Sequence, residues 1–475
     1  MAVNERTAVV VVTWNKLERV RDCLRSLAAL PEGGFDVFVV DNASTDGTAD
    51  MVRREFGGVE LLVNAENLGG SGGFNRGMRH AFERGYGLIW LLDNDVTVEP
   101  GALAALRETM AERADCGIVG SKVYAAGTGL EFIQELGSFI DWANAGIRLN
   151  HNGTFDHGRI SETVEVDYVP ACSMLVRARA LSRTRALSRT GALEGLELFD
   201  PSYFLYWDDI DFCHRVGLAG WRVLACGRSV VNHFSSGERA GTSTTIYYNL
   251  RNSLWFARQY IEDGAAFRAT ARRRLERAAE RTGLFVTLGR GELVGAKERG
   301  VRDALDGVRG RVDDLDVVPL AAQSAGARAP MKTVVLVAQR PHIFTQCRPA
   351  VDRLLAGGET AYLIYEGHVD DLRAMDTSNV FGVDKPQFDP DSPELKHMAG
   401  DCDRAVLLGK DALFPNVVEA ALSLGARETL YVDFYGNVMA LTSHTLDEHR
   451  RHSESFRTRW LAALDESDLV KARDR

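Results

Sequence analysis

The sequence predicts an α/β protein: a Rossmann-like mixed sheet, then a helical segment, then a second, smaller α/β domain. Three observations predict it. Between residues 8 and 125, short β-branched apolar runs alternate with amphipathic stretches of helical spacing, the pattern of βαβ units. Residues 245–312 read as largely helical. A new strand-and-helix alternation begins at Lys332, after a small-residue stretch from Pro319 to Pro330. The expected divisions are 1–255, a helical and locally basic segment at 256–312, a linker at 313–330, and 331–475.

The first domain can be read element by element. Ala8–Thr13 is a buried-strand run, followed by a helix over Lys16–Leu30 with Leu17, Val20, Leu24 and Leu27 on one face. Phe35–Val40 is a second strand, ending at Asp41-Asn-Ala-Ser-Thr-Asp-Gly47, where Asp46 is placed to cap a helix reaching Phe56. Val59–Val63, a helix over Gly72–Arg84, and Leu88–Leu92 complete the pattern. Parallel sheets bind ligands at the carboxyl ends of their strands. Polar residues gather at those ends: Thr13-Trp-Asn15, Asp41-Asn42, Asn64 to Asn67, and Asp93-Asn-Asp95. Further strands are expected at Ile118–Val123, Val164–Val169, Met174–Val176 and Arg222–Ala225, around an acidic helix after Trp207. A tandem hexad, Arg179 to Thr184 and Arg185 to Thr190, reads as a slipped insertion lengthening a surface helix.

Composition sets limits. At 475 residues the chain exceeds one ordinary domain, and its 45% apolar and 26% charged fractions are those of a soluble globular protein. A net charge of −10 argues against nucleic acid as a partner, because phosphate binding needs a basic face. The seven cysteines form no CxxC pair and read as reduced thiols. With no signal peptide and no long apolar run, the expected location is the cytoplasm. Residues 265–312 carry twelve Lys/Arg against six Asp/Glu. The plain reading is a solvated helical face. The sharper one is a peripheral contact with anionic lipid at the inner face of the plasma membrane, centred on Arg272–Arg274. In the last domain, strands are expected at Thr333–Ala338, Thr360–Tyr365, Arg404–Leu408 and Thr429–Tyr435, with no motif that names a function.

Four constellations carry chemistry. Asp93-Asn-Asp95 closes an apolar run on two carboxylates; a hard cation such as magnesium takes one or two carboxylates plus substrate phosphates. The plain alternative is an Asp- and Asn-rich turn. Asn67-Leu-Gly-Gly-Ser-Gly-Gly-Phe-Asn-Arg-Gly77 lets backbone approach a ligand at a helix start, and Arg76 adds a cation. Tyr203-Phe-Leu-Tyr-Trp-Asp-Asp-Ile-Asp211 collects Asp208, Asp209 and Asp211, which is costly unless one of them must take a proton. His233 is a neutral imidazole able to complete a metal shell. It is placed after the strand at Arg222–Ala225.

In that order, Val9-Val-Val-Val-Thr-Trp-Asn15, Val39-Val-Asp-Asn-Ala-Ser-Thr-Asp-Gly47 and the Asp93–Asp95 pair resemble the inverting family 2 glycosyltransferases of GT-A fold. Asn67 to Phe74, Trp207-Asp-Asp209 and His233 resemble the bacterial galactofuranosyltransferases and related rhamnosyltransferases. The resemblance spans roughly residues 7–255. It implies that Thr13, Asn15, Asp41, Asn67, Arg76, Asp93 and Asn94 bind the nucleotide sugar, and that Asp93, Asp95 and His233 hold a divalent Mn2+ or Mg2+ ion. It implies Asp209 as general base, with Asp208, Trp207 and Trp142 near the acceptor or donor sugar. Asp208 and Asp211 are expected to raise the pKa of Asp209. The implied donor is UDP-galactofuranose and the implied acceptor a glycan or polyprenyl-linked glycan. The alternatives are dTDP-rhamnose as donor, or a non-catalytic sugar-nucleotide or glycan-binding scaffold.

Overall fold

A computed structural model describes residues 6–126, 132–156, 158–183, 198–234, 242–313 and 315. In the C-terminal part it describes 333–338, 360–365, 380–384, 402–409, 424–433, 437–471 and single residues among them. Most of the tandem hexad and of the linker falls outside these residues.

The N-terminal domain is built on β1 (Thr7–Thr13), β2 (Phe35–Asp41), β3 (Glu60–Val63) and β4 (Leu88–Asp93). Their parallel pairing follows from the connecting helices α1 (Leu17–Ala28), α2 (Thr48–Glu55) and α3 (Gly69–Glu83). All of β1 is buried, as a strand covered on both faces requires. After β5 (Val96–Val98) and α4 (Ala102–Glu112), β6 (Cys116–Ala125) and β11 (Ser173–Arg177) enter. The β11 strand runs antiparallel between β4 and β6 and makes the sheet mixed. Between them lie β7 (Ile133–Glu135), the hairpin of β8 (Ser138–Asp141) and β9 (Gly146–Leu149), and β10 (Thr163–Glu165). Next come α5 (Ala178–Arg183), α6 (Asp208–Leu218) and β12 (Arg222–His233), giving the strand order β10-β12-β6-β11-β4-β1-β2-β3. The β12 strand is longer than the run Arg222–Ala225. It continues through an irregularity between Cys226 and Val230, so His233 closes the strand instead of following it.

The stretch expected to be largely helical is, among the described residues, α7 (Ser243–Tyr260), α8 (Gly264–Thr287) and α9 (Gly291–Leu305). The Arg272–Arg274 run is partly exposed and also bonded within the chain. Arg272 pairs with Asp465 at 3.2 Å, Arg273 donates to the Ala143 carbonyl at 2.7 Å, and Arg274 donates to Ser253 Oγ at 2.9 Å. No helix among the described residues is long and apolar enough to cross a membrane.

The second sheet has the order β15-β14-β13-β16-β17-β18, from β13 (Thr333–Ala338), β14 (Thr360–Tyr365), β15 (Val380–Asp384), β16 (Arg404–Gly409), β17 (Glu428–Asp433) and β18 (Val438–Ala440). All its pairings are parallel except β17 with β18. The strand-like runs of the sequence supply four of these six strands. The last long helix, α10 (Ser443–Glu466), buries Phe456, Trp460 and Leu464 against Phe267, Ala271 and Leu275 of α8.

Candidate active site

The first half of the site grows from the end of β4. Asp93 is the last residue of that strand, and the turn to β5 carries Asn94 and Asp95, both buried. Antiparallel pairing sets His233 opposite Val96 and so beside Asp95, with Nε2 3.3 Å from Oδ1. A second signal, missing from the motifs, is Gln134: its side-chain amide meets the other ring nitrogen of His233 at 3.1 Å. That contact turns Nε2 toward the acids, the usual way a ligand imidazole is oriented. One ligand atom from each of Asp93, Asp95 and His233 lies within 4.8 Å of the others. Two hard oxygens and one imidazole, partly buried, fit a divalent manganese or magnesium ion.

The other strand ends converge beside it. Thr13 Oγ1 accepts from Asn94 Nδ2 at 2.9 Å and ties the turn to β1. Asp41 is buried and receives the Ser44 amide at 3.3 Å, while the Asn15 amide donates to Ser44 Oγ at 2.9 Å. Asn15 itself sits at φ +49° and accepts from the Thr45 amide at 2.7 Å, so Thr13, Asn15 and Asp41 shape one loop. The α3 helix starts at Gly69, three residues before the predicted start, so the glycine run forms its first turns. Asn67 Oδ1 accepts from the Gly69 amide at 2.9 Å. Arg76 donates to the Val63 carbonyl at 2.6 Å and to Asn64, which places it under the end of β3.

The second half begins α6. Phe204, Tyr206 and Trp207 take left-handed φ of +65°, +62° and +71°, a conformation costing of order 1–3 kcal/mol each outside glycine. This run delivers Asp208 and Asp209 to the first helical turn, where the macrodipole favours negative charge. Asp208 is buried and accepts from Ser71 Oγ of α3 at 2.7 Å. Burial pushes its carboxyl up to about 6, against the Ser71 bond and with the Asp93 charge adding. Asp209 accepts from the Ala171 amide at 3.4 Å. Its carboxyl is raised well above the usual range, first by burial, then by the charges of Asp208 and Glu135. Asp211 is not among the causes. It is buried and paired with Arg215 at 2.8 Å and with the Tyr260 hydroxyl at 2.7 Å, so it braces the helix.

One short segment joins the halves. The Ala171 amide reaches Asp209, and the next residue, Cys172, accepts the Asp93 amide on its carbonyl at 3.4 Å. Burial and the charges of Asp93, Glu135, Asp95 and Asp209 together raise the Cys172 thiol, which therefore lies amid all four acids. Glu135 was not singled out from the sequence. It is buried, accepts from Ser138 and Tyr168 hydroxyls, and is pushed up to about 7 by burial. Nearby, Trp207 is buried against Phe256 at 5.3 Å. Trp142, 36% exposed, stacks on the same ring at 5.4 Å, with His214 edge-on to it at 5.2 Å.

Residues 8–182 match the family model described as glycosyl transferase family 2. The chain carries a family 2 glycosyltransferase domain. This glycosyltransferase is 25% identical over 277 residues to the N-acetylglucosaminyl-diphospho-decaprenol L-rhamnosyltransferase of Mycobacterium tuberculosis, covering 52% of this chain and 85% of that protein. It is 26% identical over 267 residues to the galactofuranosyltransferase GlfT2 of Mycolicibacterium smegmatis, but spans only 40% of that protein. Among solved structures it is similar to S. aureus TarS 1-349 in complex with UDP-GlcNAc, at 17% identity and a TM-score of 0.41, covering 64% of this chain and 81% of that one.

Proposed function

We propose that this glycosyltransferase is metal-dependent and inverting, and moves a sugar from a nucleotide diphosphate onto a hydroxyl of a glycan or polyprenyl-linked glycan. The observation that carries the reading is the meeting of Asp93 and Asp95 with Asp208 and Asp209 around residues 171–172. Asp93, Asp95 and His233 would hold manganese or magnesium, which supplies positive charge to the departing diphosphate. The loop of Thr13, Asn15 and Asp41 receives base and ribose, with Asn94 fixed beside it by Thr13. Asn67 and the first turn of α3 face the donor, and Arg76 supports that edge from below. Trp142, partly exposed, receives a sugar ring; Asp208 and Trp207 set the wall behind it.

Asp209 takes the acceptor's proton onto a carboxylate oxygen. The acceptor oxygen bonds to the anomeric carbon from the side opposite the diphosphate. The carbon–oxygen bond to the diphosphate breaks, its oxygen keeps the electron pair, and the configuration inverts.

UDP-galactofuranose is the donor of the first reading, from the resemblance of Asn67 to Phe74 and Trp207 to Asp209. A dTDP-rhamnose donor is the second, favoured by the relative matched over 85% of its own length. Nucleotide release from a panel of activated sugars, with manganese, magnesium or chelator, separates the two. In the same assay Asp209→Asn is expected to lower kcat by about 10^2 to 10^4-fold while nucleotide still binds. Equal turnover by that variant refutes the base. No release from any donor, with any acceptor, returns the chain to a binding scaffold.

A further inference from the structure

The left-handed run before Asp208 needs something to hold it, and α7 provides two fully buried side chains at that point. Asn252 Nδ2 donates to the carbonyls of Tyr203, Leu205 and Tyr206 at 3.1, 2.9 and 2.9 Å. Arg251 fixes the orientation of that amide, its Nε donating to Asn252 Oδ1 at 3.0 Å. The same guanidinium reaches the Tyr203 carbonyl at 3.3 Å and the Gly310 carbonyl at 2.9 Å. It lies over the rings of Tyr248 and Trp255, 4.7 and 4.6 Å from their centroids. Gly310 in turn donates its amide to the Ser202 carbonyl at 2.7 Å, so both ends of the run are tied to the helical segment. On its other side the run backs the donor helix: a Cβ on Gly69 would lie 2.2 Å from the Phe204 carbonyl oxygen.

We propose that Asn252 and Arg251 are positioning residues for sugar transfer. They hold residues 203–207 in the one backbone path that starts α6 with Asp209 facing the acceptor space and sets Phe204 under the glycine helix. Neither touches substrate. Buried donors satisfying backbone carbonyls could serve folding alone, but here they hold three strained residues directly ahead of the reacting carboxylate. A site loosened by about 1 Å loses on the order of 100-fold in rate. The proposal rests on Asp209 acting as base, so Asp209→Asn is assayed beside the variants.

The test uses the full chain with its metal, donor and acceptor. Asn252→Leu keeps the volume and removes the donor; Asn252→Asp keeps the shape and turns an acceptor toward the carbonyls. Both are expected to fold, by circular dichroism, and to lose about 100-fold in kcat with donor KM nearly unchanged. The acid limb of the pH–rate profile is expected to move to lower pH as the loosened carboxylate regains water. Arg251→Lys, which keeps the charge but loses the fork that orients the amide, is the second route to the same readouts if neither Asn252 variant folds. Folded variants with wild-type kcat and acid limb, beside an inactive Asp209→Asn, overturn the positioning role alone. Turnover by Asp209→Asn overturns the base, and the positioning role falls with it. Failure of all three variants to fold makes the pair structural and also overturns it.

Discussion

Asp208, Asp209 and Glu135 share a buried space beside Asp93, and each is harder to ionise there than in water. Two consequences are measurable. A base raised in this way must lose its proton before it can act, so kcat/KM is expected to climb with pH along an acid limb above the ordinary carboxylate range near 4. A limb at ordinary carboxylate pH would contradict the role. The second consequence concerns stability. A carboxyl raised in the fold binds its proton more tightly there than when unfolded. Its stabilising share is present below the unfolded value and lost as pH rises through the folded one, about 7 for Glu135. The metal-free protein is therefore expected to melt at lower temperature at pH 8 than at pH 5.5, other groups aside. Glu135→Gln should reduce that difference and raise the pH 8 melting point, and a variant that melts lower at pH 8 would count against burial as the cause.

Among the elements, α3 shows most clearly how the site is built and why part of it was hard to read. A glycine-rich stretch has poor helix propensity, so the sequence suggests a loop up to Gly72. Packing overrides that preference. A Cβ on Gly73 would lie 2.5 Å from Val12 Cγ1, and one on Gly77 2.2 Å from Val10 Cγ1, so the helix can approach β1 only without side chains there. Gly77→Ala gains about 1 kcal/mol of helix propensity but overpacks a closed interface at about 1–3 kcal/mol. A net loss of stability in urea is expected, together with weaker donor binding; a more stable variant would show that the interface yields. Strand ends were legible because β-branched runs stop abruptly on polar residues, which located Thr13 at the end of β1 and set Asp41 and Asp93 one residue past the expected ends of strands that in fact include them. His233 was legible as a residue but not in its place, because Gly227-Arg-Ser229 interrupts the apolar pattern while the backbone carries the strand onward. Gln134 and Glu135 were not legible at all. Their strand has only three residues, too few to show a period.

At the scale of the whole molecule, the helical segment is a scaffold for the site. The basic excess of residues 265–312 suggests a charged outer face, and its arginine run, exposed at Arg273 and partly so at Arg272 and Arg274, also ties α8 to a carbonyl, a hydroxyl and an acid elsewhere in the chain. Arg273 is the informative one. Its bond to the Ala143 carbonyl, with Thr270 Oγ1 donating to the Trp142 carbonyl at 3.0 Å, pins the turn of the β8–β9 hairpin to α8. That turn holds Trp142 flat on Phe256, whose ring also supports Trp207 next to the acid pair. Arg273→Gln is therefore expected to raise the acceptor KM several-fold, leave the donor KM as it was, and leave vesicle binding unchanged at any salt concentration. The steady-state comparison needs donor and acceptor varied separately, with flotation on anionic vesicles as the parallel measurement. If the substitution instead abolished salt-sensitive vesicle binding while both KM values stayed put, the arginine would be serving a lipid surface, and the hairpin would owe its position to other contacts.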